Sequence, residues 1–127
     1  MATIVVEWRH LDVAGSTCER CRATGLELRR AVERVRTECA PMGVEILFRE
    51  TLLDADQIAL SNTILINGVP LESILPHTLT STNCCTSCGD LIGQPQQCRT
   101  LVHLGQEHEV IPRELIRQAV CQVAGCC

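Results

Sequence analysis

Thr3-Ile-Val-Val-Glu-Trp8, a loop through Gly15, and then Ser16-Thr-Cys-Glu-Arg-Cys-Arg-Ala-Thr-Gly-Leu-Glu-Leu28 form the stretch that decides how this chain folds. The first run is apolar and rich in β-branched residues, which predicts a buried strand. Ser16 and Glu19 stand three residues apart, as N-cap and partner in a capping box, and predict a helix start. Leu28, Ala31, Val32, Val35 and Cys39 continue at helical spacing along one face. Arg29, Arg30, Glu33, Arg34 and Arg36 fill the other, a solvated face of i,i+3 and i,i+4 ion pairs rather than an anion site. Pro41 and Gly43 end the helix. A dithiol, Cys18-Glu-Arg-Cys21, thus sits where a strand hands over to a helix.

Val44 to Thr51 reads as a second strand and Thr63 to Ile66 as a third, with a connector carrying a helical turn between them. Asn67-Gly68 is a hairpin signal, and Pro70 places the returning segment at a sheet edge. Pro76 to Gln97 is polar, Cys-rich and aperiodic; at 22 residues it is too long for a passive loop, so something holds it. Arg99 to Leu104 and Glu107 to Ile111 read as a hairpin around Gly105-Gln106, which sets His103 opposite His108, a possible cross-strand metal pair. Pro112 opens a last helix with Leu115, Ile116, Ala119, Val120 and Val123 on its apolar face, and Gly125 stops it.

The chain has 127 residues, which predicts one α/β domain over 1–127 with a Cys-rich insert at 76–98 and a vicinal-cysteine tail at 125–127. With 46% hydrophobic and 20% charged residues, its composition is globular. A net charge of −4 and 2% aromatic residues argue against a nucleic-acid partner, which calls for basic surface and stacking platforms. No apolar run reaches the roughly 20 residues of a membrane span, so no membrane insertion is expected. The stretch Met1 to Glu7 has neither the charged nor the long apolar region of a secretory leader, so the expected location is the cytoplasm.

Ten cysteines are the anomaly. In a reducing compartment, clustered cysteines point to metal binding or redox chemistry rather than to a disulfide framework. Cys18 and Cys21 suit either a reversible disulfide or half of a tetrahedral metal site. Unpaired N–H groups at the helix start favour a Cys18 thiolate, and Arg20 and Arg22 are expected to favour it further. His10, just past the first strand, reads as a surface histidine or as a proton acceptor for Cys18. Cys84-Cys85-Thr-Ser-Cys88-Gly89 followed by Cys98 has the form of half a zinc knuckle with a third ligand in reach. Cys126-Cys127 is a vicinal pair able to bind soft cations, or else a frayed tail. Cys39 reads as core packing, and Cys121 has no evident role. No phosphate loop, dinucleotide fingerprint or serine nucleophile motif is present, so no organic cofactor is expected.

A dithiol between first strand and first helix resembles the thioredoxin fold, and Thr63-Ile-Leu-Ile-Asn-Gly-Val-Pro70 resembles the glutaredoxin strand and turn. Val5-Val-Glu-Trp-Arg-His-Leu11, Cys18-x-x-Cys21, Ser61 to Pro70, Cys85-x-x-Cys88, Cys98-Arg-Thr100 and Ile111-Pro112 are together similar to a thioredoxin-like family catalogued as a domain of unknown function, DUF2703. This resemblance implies a thioredoxin-like fold and no assigned reaction. Redox thioredoxins carry a cis-proline just before the third strand; here Ser61-Asn62 takes its place. By that resemblance the missing proline leaves the dithiol open to metal.

The expected function is binding or transfer of a soft metal or metalloid ion, Zn(II), As(III), Hg(II) or Cu(I), through Cys18, Cys21, Cys84, Cys85, Cys88, Cys98, Cys126 and Cys127. The partner would be a metal donor or acceptor protein. The alternative is a thiol–disulfide oxidoreductase in which Cys18 attacks and Cys21 resolves, with a thiol reductant as partner. A structural zinc module for protein interaction is a third reading. Whether the Cys18 and Cys85 pairs meet in space decides between one four-sulfur site and two separate sites.

Overall fold

The computed structural model describes residues 2–127. The first strand, β1 (Ala2–Leu11), outruns the apolar stretch that announces it, and Ile4, Val6, Trp8 and His10 all turn to its buried face. Next come helix α1 (Glu19–Cys39) and strand β2 (Val44–Leu53), which lies parallel to β1, so the three make a βαβ unit. A 3-10 helix (Ala55–Leu60) leads to β3 (Thr63–Ile66), which is buried at every position and antiparallel to β1. The hairpin at Asn67-Gly68 forms as expected, with positive φ at both residues. It returns through β4 (Val69–Pro70) at the edge of a sheet ordered β2-β1-β3-β4. This mixed sheet is compatible with the thioredoxin-like layout implied by the resemblance.

The helix start differs from expectation. Ser16 does not cap α1; it bridges back to Val13, and the N-cap is Cys18, whose sulfur accepts the Cys21 N–H at 3.4 Å. The sulfur accepts a helix N–H in the role a side-chain oxygen usually fills. One turn further, Gly25 is required by Trp8: a Cβ there would meet the indole Cζ3 at 2.8 Å. Gly25→Ala therefore forces the indole or the helix to move, and we expect it to destabilise the protein by about 1–3 kcal/mol in urea unfolding. An unchanged midpoint would show that the helix slides away from Trp8 freely.

After a helical turn, α2 (Leu71–Ile74), the segment expected to be irregular is ordered. It contains β5 (Thr78–Cys84) and α3 (Thr86–Ile92), and with β6 (Gln97–His103) and β7 (Gln106–His108) it builds a second, antiparallel sheet ordered β5-β6-β7. The Cys-rich insert and the hairpin after it are thus one unit. The hairpin turn falls at Leu104-Gly105, one residue before the expected position, with positive φ at both residues. That slip pairs His103 with Gln106 and His108 with Leu101, so the two histidines do not face each other. His103 instead shares a 2.7 Å hydrogen bond with the Thr78 hydroxyl.

The last helix, α4 (Arg113–Ala124), packs on α1 and is tied to it by Arg113–Glu27 at 2.6 Å and by a two-pronged Arg117–Glu38 pair. The chain then reverses at Gly125, which has a positive φ. Among the described residues no helix is long and apolar enough to cross a membrane.

Candidate functional site

The two Cys-x-x-Cys motifs are built alike. Cys85 caps α3 as Cys18 caps α1, and its sulfur accepts the Cys88 N–H at 3.4 Å, as that of Cys18 accepts the Cys21 N–H. The helix starts face each other, and Ser87 Oγ accepts the Glu19 N–H across the gap at 2.9 Å. The sulfurs of Cys18, Cys85 and Cys88 all lie within 4.8 Å of one another. Cys98, on β6, adjoins Cys85 and Cys88, and Cys21 adjoins Cys18. All five side chains are buried. Cys84 is exposed and outside the cluster, at the rim of a groove that also reaches Cys85.

Arg20 holds the arrangement together. Its buried guanidinium donates to the carbonyls of Cys84, Cys98 and Arg99 at 3.3–3.4 Å and pairs with Glu109 at 3.1 Å. It therefore ties the backbone of β5 and β6 to α1, where its expected part was to favour a Cys18 thiolate. Arg22 is likewise engaged elsewhere, with Glu19 at 3.3 Å. Glu109 also accepts from Asn83 at 2.8 Å.

Ser61 and Asn62 stand beside the dithiol, where the resemblance sets them. The Ser61 hydroxyl is 3.3 Å from the Cys21 sulfur and accepts the Leu11 N–H at 3.0 Å. The Asn62 side chain accepts from the Trp8 indole at 3.1 Å and donates to Thr24 at 3.0 Å, which pins β3, β1 and α1 together. His10 is not a surface residue. Its ring is buried, stacks on Trp8, reaches Glu50 at 2.6 Å and lies 3.2 Å from the Thr17 hydroxyl.

The sulfurs divide sharply in acidity. Cys18 is held far below the ordinary thiol value because the Cys21 and Cys88 thiols both donate to it. Cys21, in donating to Cys18 and in being buried, is pushed far up. Cys88 is pushed up for the same reason, through Cys18 and Cys98. Burial raises Cys85. Cys98 is lowered to about 7, chiefly by the Cys88 thiol. The lowered groups, Cys18 and Cys98, add stability that is complete above the ordinary value of 9.0 and declines as pH falls toward their folded values. The raised groups, Cys21, Cys85 and Cys88, add stability that is complete below 9.0 and is lost as pH rises above it. The reduced, metal-free protein should thus gain stability from pH 7 to about 9 and lose it above, as measured by urea unfolding across that range. A profile that falls steadily from pH 7 would contradict this division of protons.

A tetrahedral tetrathiolate with metal–sulfur bonds of about 2.3 Å has sulfurs about 3.8 Å apart. Three sulfurs already within 4.8 Å, with Cys98 adjoining, fit such an ion with small side-chain movements. The donor set is sulfur alone, which selects soft ions over Mg(II) or Ca(II).

The tail cysteines are elsewhere. Cys126 is joined to Cys39 and Cys127 to Cys121, so the pair is neither a free vicinal dithiol nor a frayed end, and Cys39 is a cross-link rather than simple packing.

Fold and site define an α/β protein with a buried cluster of free cysteines assembled from two helix-capping Cys-x-x-Cys motifs. The chain belongs to the DUF2703 family, described as a domain of unknown function, whose family model matches residues 4–120. An uncharacterized protein of Archaeoglobus fulgidus is 37% identical over 117 residues, spanning 89% of this chain and 82% of that one. No solved structure matches the chain.

Proposed function

We propose that this protein binds and hands on a soft metal or metalloid ion at one shared site formed by both Cys-x-x-Cys motifs. The observation that carries the reading is the convergence of the Cys18, Cys85 and Cys88 sulfurs within 4.8 Å in a buried setting. Cys18 is the standing thiolate that anchors the ion once it has passed the groove at Cys84 and Cys85. Cys85, Cys88 and Cys98 then give up their protons to complete a four-sulfur shell. Cys21, hydrogen-bonded to Ser61, is the reserve ligand that lets a sulfur leave during transfer. Exposed Cys84, on the groove to Cys85, is where a donor or acceptor protein meets the ion.

The test is native mass spectrometry of protein purified without oxygen, with Zn(II), As(III) and Hg(II) as probes. One ion should be held at this site, and Cys18→Ser with Cys21→Ser should weaken it strongly. Affinity and stoichiometry unchanged in that double variant would overturn the reading.

The acidity split between Cys18 and Cys21 favours a second reading, thiol–disulfide exchange with Cys18 attacking and Cys21 resolving. Against it stands burial: a substrate disulfide has no access to the Cys18 sulfur without opening the cluster. Turnover of a protein disulfide with a dithiol reductant would support this reading over metal transfer.

A further inference from the structure

Cys39 is the last residue of α1, and Cys18 caps its start, so the helix separates the tail cysteines from the first cluster by about 30 Å at 1.5 Å per residue. At that far end four cysteines meet. Cys39 is joined to Cys126, and Cys121 of α4 to Cys127, with Cα–Cα distances of 5.3 and 5.2 Å. The sulfurs of Cys39, Cys126 and Cys127 all lie within 4.8 Å of one another, and the Cys121 sulfur is bonded to that of Cys127. Because Cys126 and Cys127 are neighbours in sequence, the two disulfides lie side by side as a single group of four sulfurs.

A structural staple accounts for only half of this. Cys39–Cys126 spans 87 residues and ties α1 to the tail. Cys121–Cys127 spans 6 residues, on a helix already closed by Gly125, where a cross-link restricts the unfolded chain least. Its evident effect is to bring a fourth sulfur to the group.

We propose that Cys39, Cys121, Cys126 and Cys127 form a second, independent soft-metal site, locked as two disulfides when oxidised and able to hold one divalent thiophilic ion when reduced. Two equivalents of a dithiol reductant deliver four electrons and four protons to the two S–S bonds and leave as two intramolecular disulfides. The ion then displaces the four thiol protons and takes four thiolates. Two ligands stay fixed on α1 and α4, while the two on the tail move about the Gly125 turn to reach tetrahedral spacing. The site does not depend on the cluster at Cys18.

Cd(II) is the probe, added without oxygen to the full chain after complete reduction by dithiothreitol and removal of the reductant. Bound ions are counted by native mass spectrometry, and their environments are read by ¹¹³Cd NMR. The wild-type chain should bind two ions with two all-sulfur resonances. Cys126→Ser with Cys127→Ser should bind one and lose one resonance, and a chain ending at Ala124 should do the same. Cys18→Ser with Cys88→Ser should lose the other resonance; that variant should keep one ion when reduced and none after oxidation by oxidised glutathione. If the tail variants bind as many ions as the reduced wild-type chain, the second site is overturned. If only the Cys18 and Cys88 variant leaves the count unchanged, the reading of the first cluster fails and the second site stands.

Discussion

Cys88→Ser is expected to remove most of the stabilisation that a soft ion bound at the shared cluster confers on this protein. Cys88 is the sulfur common to the cluster: it stands between Cys18 and Cys98, either of which can take its single S–H, and it is fully buried. A hydroxyl in its place has a shorter bond to carbon and is a poor ligand for a soft ion. Disturbing residues behind a metal's direct ligands already lowers affinity by about 10–100-fold, so loss of a thiolate ligand should exceed that range. With free metal at about 1,000 times the wild-type Kd, the wild-type protein gains about 4 kcal/mol over its apo form. With its tail disulfides intact, the variant should gain no more than about 1.4 kcal/mol at the same concentration. Thermal unfolding of both proteins with and without Zn(II) reads the difference, and an equal metal-dependent rise in the variant would remove Cys88 from the ligand set.

The second large effect is expected at Arg20. Arg20→Met keeps the aliphatic stem but leaves the carbonyls of Cys84, Cys98 and Arg99 without their buried donor and Glu109 without its ion pair. Losing charge-assisted hydrogen bonds in a buried setting costs about 3 kcal/mol. The loss should be local as well as global, because Arg20 is the polar tie between α1 and the β5–β6 ladder. Amide hydrogen exchange over residues 84–99 should speed up more than over β1 and β3, and metal affinity should fall although no ligand is touched. Arg20→Lys should recover only part, since a single ammonium cannot span carbonyls on two strands as the guanidinium fork does. Uniform exchange across the molecule in Arg20→Met would mean that Arg20 stabilises the fold without positioning the cluster.

Much of the frame is legible in the sequence because its signals are local. The β1 run, the apolar stripe of α1, the Asn67-Gly68 turn and Gly125 each state their structure within a few residues. The second sheet is not legible in the same way. All seven residues of β5 are Thr, Leu, Ser, Asn or Cys with little burial, so no alternation marks the strand, and α3 is a short helix capped by a cysteine rather than by the usual Ser, Thr, Asp or Asn. His10 did have a signal: it lies two residues beyond Trp8 and four beyond Val6, on the face of β1 that is buried. Ending the strand at Trp8 hides it.

For the site, the spacings identify the thiol pairs but not their meeting. Cys18 and Cys85 are brought together by the packing of α3 against α1, a contact between distant segments that no local pattern encodes. The role of Arg20 is hidden for the same reason: on a helix otherwise dressed with surface arginines, nothing local sets it apart from Arg22. The partners of Cys126 and Cys127 depend on how α4 lies along α1, which the apolar stripes predict only as contact, not as register.

The central claim is that both Cys-x-x-Cys motifs serve one ion. X-ray absorption at the zinc edge, on the Cys126→Ser and Cys127→Ser protein loaded with one equivalent of Zn(II), tests it most directly because the tail cannot contribute. The account predicts a shell of four sulfurs at about 2.3 Å and no nitrogen or oxygen neighbour. A shell of two sulfurs completed by nitrogen or oxygen would mean that the ion is held by one motif alone, and would contradict the shared site.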